Sequence, residues 1–365
     1  MNDGHVASGP LGGVRVLEMA GLGPISFAGM LLADMGADVV RIARPAHSDK
    51  ERGATLRGRR QVEIDLKSSE GQKQVLALAD HADVFIEGFR PRVMERLGLG
   101  PSELLDRRPS LVYGRMTGWG QDGPRASAAG HDINYIALSG ALHAIGEKDP
   151  AVPLNLIGDY GGGALYLVVG VLAALHQVRA GGAGQVVDAA ICDGTVSLMS
   201  LIYGLRHAGR WEDSRVSNSI DGGAPYYRTY RCRDGRYLAV GAIEPQFFGL
   251  LVKELGLVGP LFAEQNNRDL WPAQAQAMAA AFAQRDRDEW NRSFQNLDAC
   301  VAPVNSLDES AADPHLAARG AFVEVAGERQ PAPTPRFSST QLMPRMSVVE
   351  PDVEQVLKSW IAQQS

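Results

Sequence analysis

The chain of 365 residues carries a formal net charge of −6, and 45% of its residues are hydrophobic while 21% are charged. These values are typical of a soluble globular protein with room for two domains. The acidic balance provides no basic surplus for nucleic acid or for an anionic membrane surface, so we expect neither partner.

Residues 14–42 predict a compact βαβ unit, with strands at 14–19 and 37–42 around a helix at 25–35. Such a unit places its two strands side by side in a parallel sheet. Further strands are predicted at 61–66, 84–89, 111–116 and 185–190, most of them separated by helices. This alternation predicts an α/β domain with a parallel, Rossmann-like sheet, whose ligands bind at the carboxyl ends of the strands.

The turn after the first strand is a poor match to the dinucleotide-binding fingerprint, because Ser26 stands in place of its third glycine. The second strand ends with Arg41 and Arg44, where an NAD-binding domain needs an acidic residue. Arginines there suit a phosphate on a ribose, as in NADP or coenzyme A. Solvated surface arginines are the alternative interpretation.

After residue 224 the predicted elements no longer alternate between single strands and helices. Strands are predicted at 225–231 and 236–240, joined by the hairpin signal Arg233-Asp234-Gly235, and helices follow at 271–283 and 286–294 before a strand at 300–304. We predict a large α/β domain over residues 1–208, a linker over 209–224 and a small α+β domain over 225–330. Residues 331–365 are predicted to return to the large domain.

Three widely separated cysteines, Cys192, Cys232 and Cys300, lack the spacing of metal ligands. They predict free, buried thiols in a reducing compartment, hence a cytoplasmic protein without a metal site. The longest apolar run, residues 161–175, is too short for a typical membrane span, so it predicts a buried helix and no membrane association.

Two proton carriers each stand before a predicted helix, His131 at the start of a run to residue 145 and Asp159 before a helix at 160–179. A histidine titrates near working pH, and a helix N-terminus would keep Asp159 ionised as a base. Glu244 would orient the imidazole, and amides after His131 would meet an oxyanion. Together these groups suit proton abstraction beside a carbonyl, through an enolate.

Each residue also has a plain structural interpretation. His131 and Asp159 would cap helices, Asn155 would be a turn residue and Glu244 a solvated side chain.

The motifs at these positions resemble the family III coenzyme A transferase superfamily and, within it, the α-methylacyl-CoA racemases of bacterial type. The resemblance extends over residues 9–337. Its motifs include Gly130-His131-Asp132-Ile133-Asn134-Tyr135, Asn155-Leu156-Ile157-Gly158-Asp159 and Ala242-Ile243-Glu244-Pro245.

The resemblance implies that His131 and Asp159 form the acid/base pair, that Glu244 pairs with the histidine and that Asn155 lines the site. Gly130, Asp132 and Tyr135 are implied as further lining residues. Coenzyme A, as part of the substrate, is implied to contact Arg44, Lys67, Arg90, Arg96 and Tyr135, with no other cofactor. One departure is Ala43, where relatives carry an acid.

The implied fold is an interlocked homodimer, with each active site between the large domain of one chain and the small domain of the other. The implied activity is interconversion of (2R)- and (2S)-2-methylacyl-CoA thioesters, with an apolar lining expected near Met19, Ile25, Leu198 or Met199. A coenzyme A transferase with Asp159 as nucleophile is the alternative; transferases of this superfamily lack the histidine motif. An NADP-dependent oxidoreductase and a non-catalytic acyl-CoA-binding protein are the remaining alternatives.

Overall fold

The computed structural model describes residues 9–45, 53–350 and 352–362. Within them the chain divides into two compact units. The first unit holds the described residues up to Ser139, Leu154–Met199 and the residues from His315 onward, and the second holds Gly140–Pro153 and Ser200–Pro314.

These boundaries differ from the predicted ones. The first unit gives way to the second at Ser200 instead of residue 209, and residues 140–153 belong to the second unit. Arg215 explains that assignment, because its guanidinium donates hydrogen bonds to the carbonyl oxygens of His143, Glu147 and Lys148. Such long-range anchoring of a short segment has no sequence signature.

The strands are β1 Arg15–Met19, β2 Asp38–Ala43, β3 Arg59–Glu63, β4 Val84–Glu87, β5 Val112–Thr117, β6 Val186–Ala190, β7 Tyr227–Arg231, β8 Tyr237–Gly241, β9 Val301–Pro303, β10 Phe322–Val325, β11 Glu328–Pro331 and β12 Val348–Val349. The helices are α1 Pro24–Asp34, α2 Ser69–Ala79, α3 Val93–Arg96, α4 Pro101–Arg107, α5 Asp132–Leu138, α6 Ala141–Ala144, α7 Leu165–Arg179, α8 Ile191–Leu198, α9 Ser200–His207, α10 Pro245–Glu254, α11 Trp271–Phe282, α12 Arg287–Phe294, α13 Leu307–Ala312, α14 Pro314–Ala318 and α15 Val353–Ala362.

The first unit is built on a seven-stranded sheet in the order β12-β3-β2-β1-β4-β5-β6, with every neighbouring pair parallel. The first unit has two hydrophobic cores. Successive side chains along β1 point to opposite faces of the sheet, so Val16 packs in one core and Leu17 in the other. Trp360 of α15 is buried in the second of these cores. The strands that follow β1 in the chain, β2 and β3, lie on one side of it, whereas β4 and β5 lie on its other side. The boundary between β1 and β4 is therefore a topological switch point. The predicted parallel α/β sheet is confirmed.

A π-helical stretch, Leu156–Ala164, precedes α7. Gly162 and Gly163 pack directly on α8: a Cβ on Gly162 would lie 2.7 Å from the Thr195 nitrogen, and one on Gly163 2.9 Å from the Ile191 side chain. The predicted helix start at residue 160 is therefore wrong, and Asp159 lies inside the π-helical turn instead of capping a helix.

The combined helix Leu156–Arg179 is the single described helix that is long and apolar enough to cross a membrane by length and composition alone. Only 39% of its most apolar stretch is buried, and Val169 is 64% exposed. The expectation of a buried helix is wrong for this face.

Other predicted helices are interrupted. The run from residue 131 to 145 breaks at Gly140, whose φ of 86° ends α5 before α6. The sequence also predicts one helix over residues 193–206, and the structure divides it at Met199 into α8 and α9. Helix α4 was not predicted, although Pro101 occupies its first turn.

The second unit contains a three-stranded antiparallel sheet in the order β7-β8-β9. The predicted hairpin is confirmed, with Gly235 at a φ of 82°. An aromatic cluster of Tyr230, Phe282 and Trp290 fills the core beside it. The smaller α+β unit is therefore present as predicted.

The three cysteines differ in burial. Cys232 is buried as expected, Cys192 is half-buried, and Cys300 is exposed, which contradicts the expectation. All three are free thiols.

Candidate functional site

A cavity of 370 Å³ lies in the first unit where β1, β4 and β5 end, and we call it the switch-point cavity. Its walls come from the segments that follow those strands, together with the approach to α5 and the π-helical stretch. It is lined by residues 22–24, 88–91, 116–119, 126, 128–131, 135, 159 and 191. The location is the one at which parallel sheets bind ligands.

His131 occupies the N-cap position of α5 and lines the cavity. Its backbone N–H donates to Asn134 Oδ1 at 3.0 Å, and its carbonyl accepts from the Asn134 N–H at 2.8 Å. These two bonds fix the backbone that carries the imidazole, so the side chain is presented from a defined position.

Asp159 lines the same cavity from the π-helical stretch. Its backbone N–H donates to Asp132 Oδ1 at 2.6 Å, and the Asn155 side-chain amide donates to its carboxylate. Its Oδ2 faces Gly23, where a Cβ would come within 3.3 Å. The structure thus brings Asp159, Asn155 and His131 together.

Burial raises the pKa of Asp159 to about 6, and the negative charge of Asp132 acts in the same direction. His131 and the Asn155 hydrogen bond oppose the rise without cancelling it. The shift therefore runs opposite to the one that a helix N-terminus would cause, while a carboxyl of this pKa stays mostly ionised at neutral pH. A carboxyl with a pKa near 6 can both accept and return a proton close to neutral pH.

Asp132 is only 8% exposed, and its Oδ2 is buried without a hydrogen-bond partner among the residues that the structure describes. Sequence reasoning expected its backbone amide to meet an oxyanion, and the resemblance implied Asp132 as a lining residue, but it is not among the residues that line the cavity. Its side chain was missed as a contact of Asp159, and the one available signal was Gly158, whose hydrogen faces Asp132 Oδ1.

Tyr135 of α5 is buried against residues that precede it in the chain, Gly118, Trp119 and Gly130. Its hydroxyl donates to the Gly130 carbonyl at 2.5 Å, and its ring packs edge-on against Trp119 with centroids 4.7 Å apart. A Cβ on Gly118 would overlap the Tyr135 ring, which explains the glycine there. Burial raises the pKa of Tyr135. The observed role is to brace the segment that carries His131, and the predicted coenzyme A contact stays a prediction.

The predicted cations lie at the carboxyl edge of the sheet. Arg90 lines the cavity, Arg44 and Lys67 are exposed beyond β2 and β3, and Arg96 is exposed on α3. Within the described residues, none of these four side chains forms a hydrogen bond or ion pair. Arg41 differs: it is 1% exposed, donates to Gln61 and lies 3.7 Å from Glu18, so neither sequence interpretation of it holds.

The segment that carries Arg90 and Arg96 rests on an ion-pair network that sequence reasoning missed, buried at Glu87 and Arg115 and partly exposed at Glu95. Glu87 accepts hydrogen bonds from the Phe89 N–H at 2.7 Å and from Arg115 Nε at 3.0 Å. Arg115 also donates to Glu95 at 2.7 Å. Burial raises the pKa of Glu87 to about 7 despite the paired arginine.

Glu244 lies in the second unit, exposed at the N-cap position of α10. Its pairing with His131 stays a prediction. The second unit has a cavity of its own, of 640 Å³, lined in part by Glu147, Tyr227 and Cys300.

The predicted acyl-lining residues Met19 and Ile25 are buried in the cores, each 1% exposed, so the expectation is wrong for both. The larger apolar side chains that line the switch-point cavity include Leu22, Phe89, Met116, Trp119 and Ile191.

Comparison with known proteins gives consistent matches. The model of CoA-transferase family III matches residues 11–355. The chain is 43% identical over 327 residues to the alpha-methylacyl-CoA racemase of Mus musculus, covering 89% of this chain and 85% of the mouse protein. It is 42% identical over 339 residues to the Homo sapiens protein of that name, covering 92% and 88%. The crystal structure of a CAIB/BAIF family protein from Brucella suis superposes with a TM-score of 0.82 at 25% identity, covering 97% of this chain and 100% of that one.

Proposed function

The chain belongs to CoA-transferase family III, and we propose that it interconverts (2R)- and (2S)-2-methylacyl-CoA thioesters by moving the α-proton. The observation that carries the proposal is the convergence of His131 and Asp159 in one cavity. The two racemase relatives, at 42% and 43% identity over about nine-tenths of the chain, support the same activity.

The mechanism is a 1,1-proton transfer through an enolate. His131 removes the α-proton from one face and Asp159 returns one to the other; the reverse direction exchanges their roles. A pKa of about 6 suits Asp159 to both roles, because the ionised base and the protonated acid are both accessible near neutral pH. The developing enolate oxygen needs donors already in place, and the amides at the start of α5, including that of Asp132, are the candidates.

The coenzyme A part of the substrate is proposed to lie along the carboxyl edge of the sheet. Arg44, Lys67, Arg90 and Arg96 would meet its phosphates, since charged phosphate groups pair well with guanidinium and ammonium groups. Tyr135 is proposed to line the same site. The reaction requires no further cofactor, because the thioester itself acidifies the α-proton.

The working unit is proposed to be a homodimer in which Glu244 of a second copy completes each site. Exposed apolar side chains on the first unit support such an assembly, among them Leu138, Val169, Val196 and Leu198. The free thiols support a reducing compartment, and the cytoplasm is proposed on that basis.

A coenzyme A transferase is the second candidate, because the family carries that name and Asp159 is a carboxylate open to a cavity. In that reaction Asp159 would form a covalent anhydride and then a thioester, and a free acid would be the acceptor. A histidine opposite the carboxylate favours proton transfer instead.

Incubation of a pure (2R)-2-methylacyl-CoA with the protein in deuterated water distinguishes a racemase from a transferase. The racemase produces both epimers with deuterium at the α-carbon and needs no added acid. Product formed only after a second carboxylic acid is added, with the enzyme trapped as an aspartyl thioester, would overturn the racemase in favour of the transferase.

A further inference from the structure

We propose that the side chain of Asp132 is a positioning residue that holds Asp159 at the cavity and, through its charge, strengthens Asp159 as a base. This inference rests on the proposed function for its catalytic consequence. Its structural basis stands separately, in the contacts between α5 and the π-helical stretch.

The first part is a hydrogen bond at the start of a helix. The first N–H groups of a helix have no partner within it. In the π-helical stretch the Asp159 N–H is such a group, and it donates to Asp132 Oδ1 at 2.6 Å. Asp132, which belongs to a different helix, therefore caps this turn and fixes Asp159, the residue whose carboxylate faces the cavity.

The second part is the closeness of the two backbones. A Cβ on Gly158 would overlap Asp132 Oδ1 and approach the Ile136 side chain to 2.8 Å. Glycine at this position is what allows α5 to carry its carboxylate up to the Asp159 amide. The arrangement is thus built by three residues, Asp132, Gly158 and Asp159.

The third part is the charge. Asp132 is 8% exposed, and its Oδ2 is buried without a partner among the described residues, so its charge is poorly screened by water. The groups that act on Asp159 are Asp132 and His131 on the α5 side and Asn155 in its own stretch, with the Tyr135 hydroxyl also within electrostatic range. Asp132 is the negative one, and it helps to keep the pKa of Asp159 near 6.

The substitution Asp132→Asn removes the negative charge of the side chain and keeps its shape. The amide oxygen can still accept the Asp159 N–H, while the negative charge is removed. The pKa of Asp159 should fall by about 1 unit, as expected when a close like charge is lost. The acid limb of kcat/KM should then move by the same amount to lower pH.

The experiment measures two quantities in wild type, Asp132→Asn and the control Asp122→Asn, which removes an exposed aspartate outside the site. One is the 13C carboxyl titration of Asp159, assigned with Asp159→Asn, and the other is the pH profile of kcat/KM. A downward shift of about 1 unit in Asp132→Asn alone is expected. An Asp159 midpoint that is the same in Asp132→Asn and wild type would overturn the inference.

The two readouts keep the inference distinct from the proposed function. A shifted titration in a protein that does not racemise would contradict the function and leave the inference standing. A third variant, Asp132→Ala, removes the acceptor as well, and should lower kcat at least about tenfold beyond Asp132→Asn, in line with a lost charge-assisted hydrogen bond. Equal kcat values in the two variants would overturn the positioning role.

Discussion

At the scale of single residues, the site combines two proton carriers whose surroundings differ. Asp159 is half-buried and held by Asn155 and by Asp132, whereas His131 is exposed at a helix cap with its backbone fixed by Asn134. Burial and a negative neighbour bring the pKa of the carboxyl towards that of an ordinary imidazole. A carboxyl with a pKa near 6 can give and take a proton close to neutral pH, which suits a reaction whose substrate and product are nearly equal in energy.

The arginines at the carboxyl edge of the sheet should contribute to binding and little to chemistry. Arg44→Ala, Arg90→Ala and Arg96→Ala should each raise KM about tenfold or more with kcat nearly unchanged, because remote phosphate contacts stabilise substrate and transition state alike. Steady-state kinetics checks this, with the exposed Arg179→Ala on α7 as the control. Normal KM values in all three variants would place the nucleotide elsewhere.

Much of the site could be predicted from motifs, because His131, Asn155 and Asp159 stand in short conspicuous stretches. The supporting contacts could not. The Asp132 carboxylate reaches Asp159 across 27 positions of sequence, and Arg115 reaches Glu87 across 28. Only the packing of strands and helices brings such pairs together, and a single sequence does not record it.

At the scale of elements, the π-helical stretch sets the position of Asp159. Sequence periodicity predicted a helix there but not its widened turns, since an apolar run looks alike in either helix. The glycines that enable it pack against α8, where a Cβ on Gly162 would lie 2.6 Å from Thr195 Oγ1.

Gly162→Ala should therefore destabilise the protein by about 1–3 kcal/mol through overpacking and lower kcat by displacing Asp159. The free energy of unfolding, measured in urea, checks the first part. Gly204→Ala on α9 is the matched control, because no atom lies within 4 Å of its Cβ position and alanine favours a helix. Equal stability of the two variants would show that the close packing on α8 is not required.

Removing one partner of the Glu87–Arg115 pair should strongly destabilise the segment between β4 and α3. Arg115→Leu leaves Glu87 buried without its cation and should cost about 3–5 kcal/mol. Arg107→Leu is the control, because its partner Asp80 is about one-third exposed, and it should cost less than about 1 kcal/mol.

The stability that is lost in Arg115→Leu should depend on pH. The pKa of Glu87 is already raised to about 7 and rises further without Arg115, so the folded state binds the extra proton. Stability then falls as pH increases from the unfolded carboxyl pKa through the folded one. The cost of the substitution should be larger at pH 8 than at pH 6, and unfolding curves at both values check it. A cost independent of pH would contradict the buried-charge explanation.

At the scale of the whole molecule, the alternation of strands and helices was enough to predict the parallel sheet and the smaller α+β unit. It did not predict that residues 140–153 belong to the second unit, because the anchoring Arg215 lies about 70 residues away. The proposed site has a further requirement, since His131 and Glu244 belong to different units.

If each site takes Glu244 from a second copy, two damaged chains should complement each other. A dimer of His131→Ala with Glu244→Ala contains one site in which both residues are intact. Co-expression with two affinity tags isolates this mixed dimer, and its activity should exceed the average of the two parents several-fold. A mixed dimer no more active than that average would place both residues of a site in one chain.

The division of labour between the two bases is tested most directly by α-proton exchange in deuterated water, with each pure epimer and each single variant. His131→Ala should nearly abolish racemisation yet still exchange the epimer whose proton faces Asp159, and Asp159→Ala should exchange only the other. Asn155→Ala and Glu244→Ala should be milder, and the exposed His176→Ala should match wild type. Exchange of both epimers at equal rates by either His131→Ala or Asp159→Ala would contradict the two-base account.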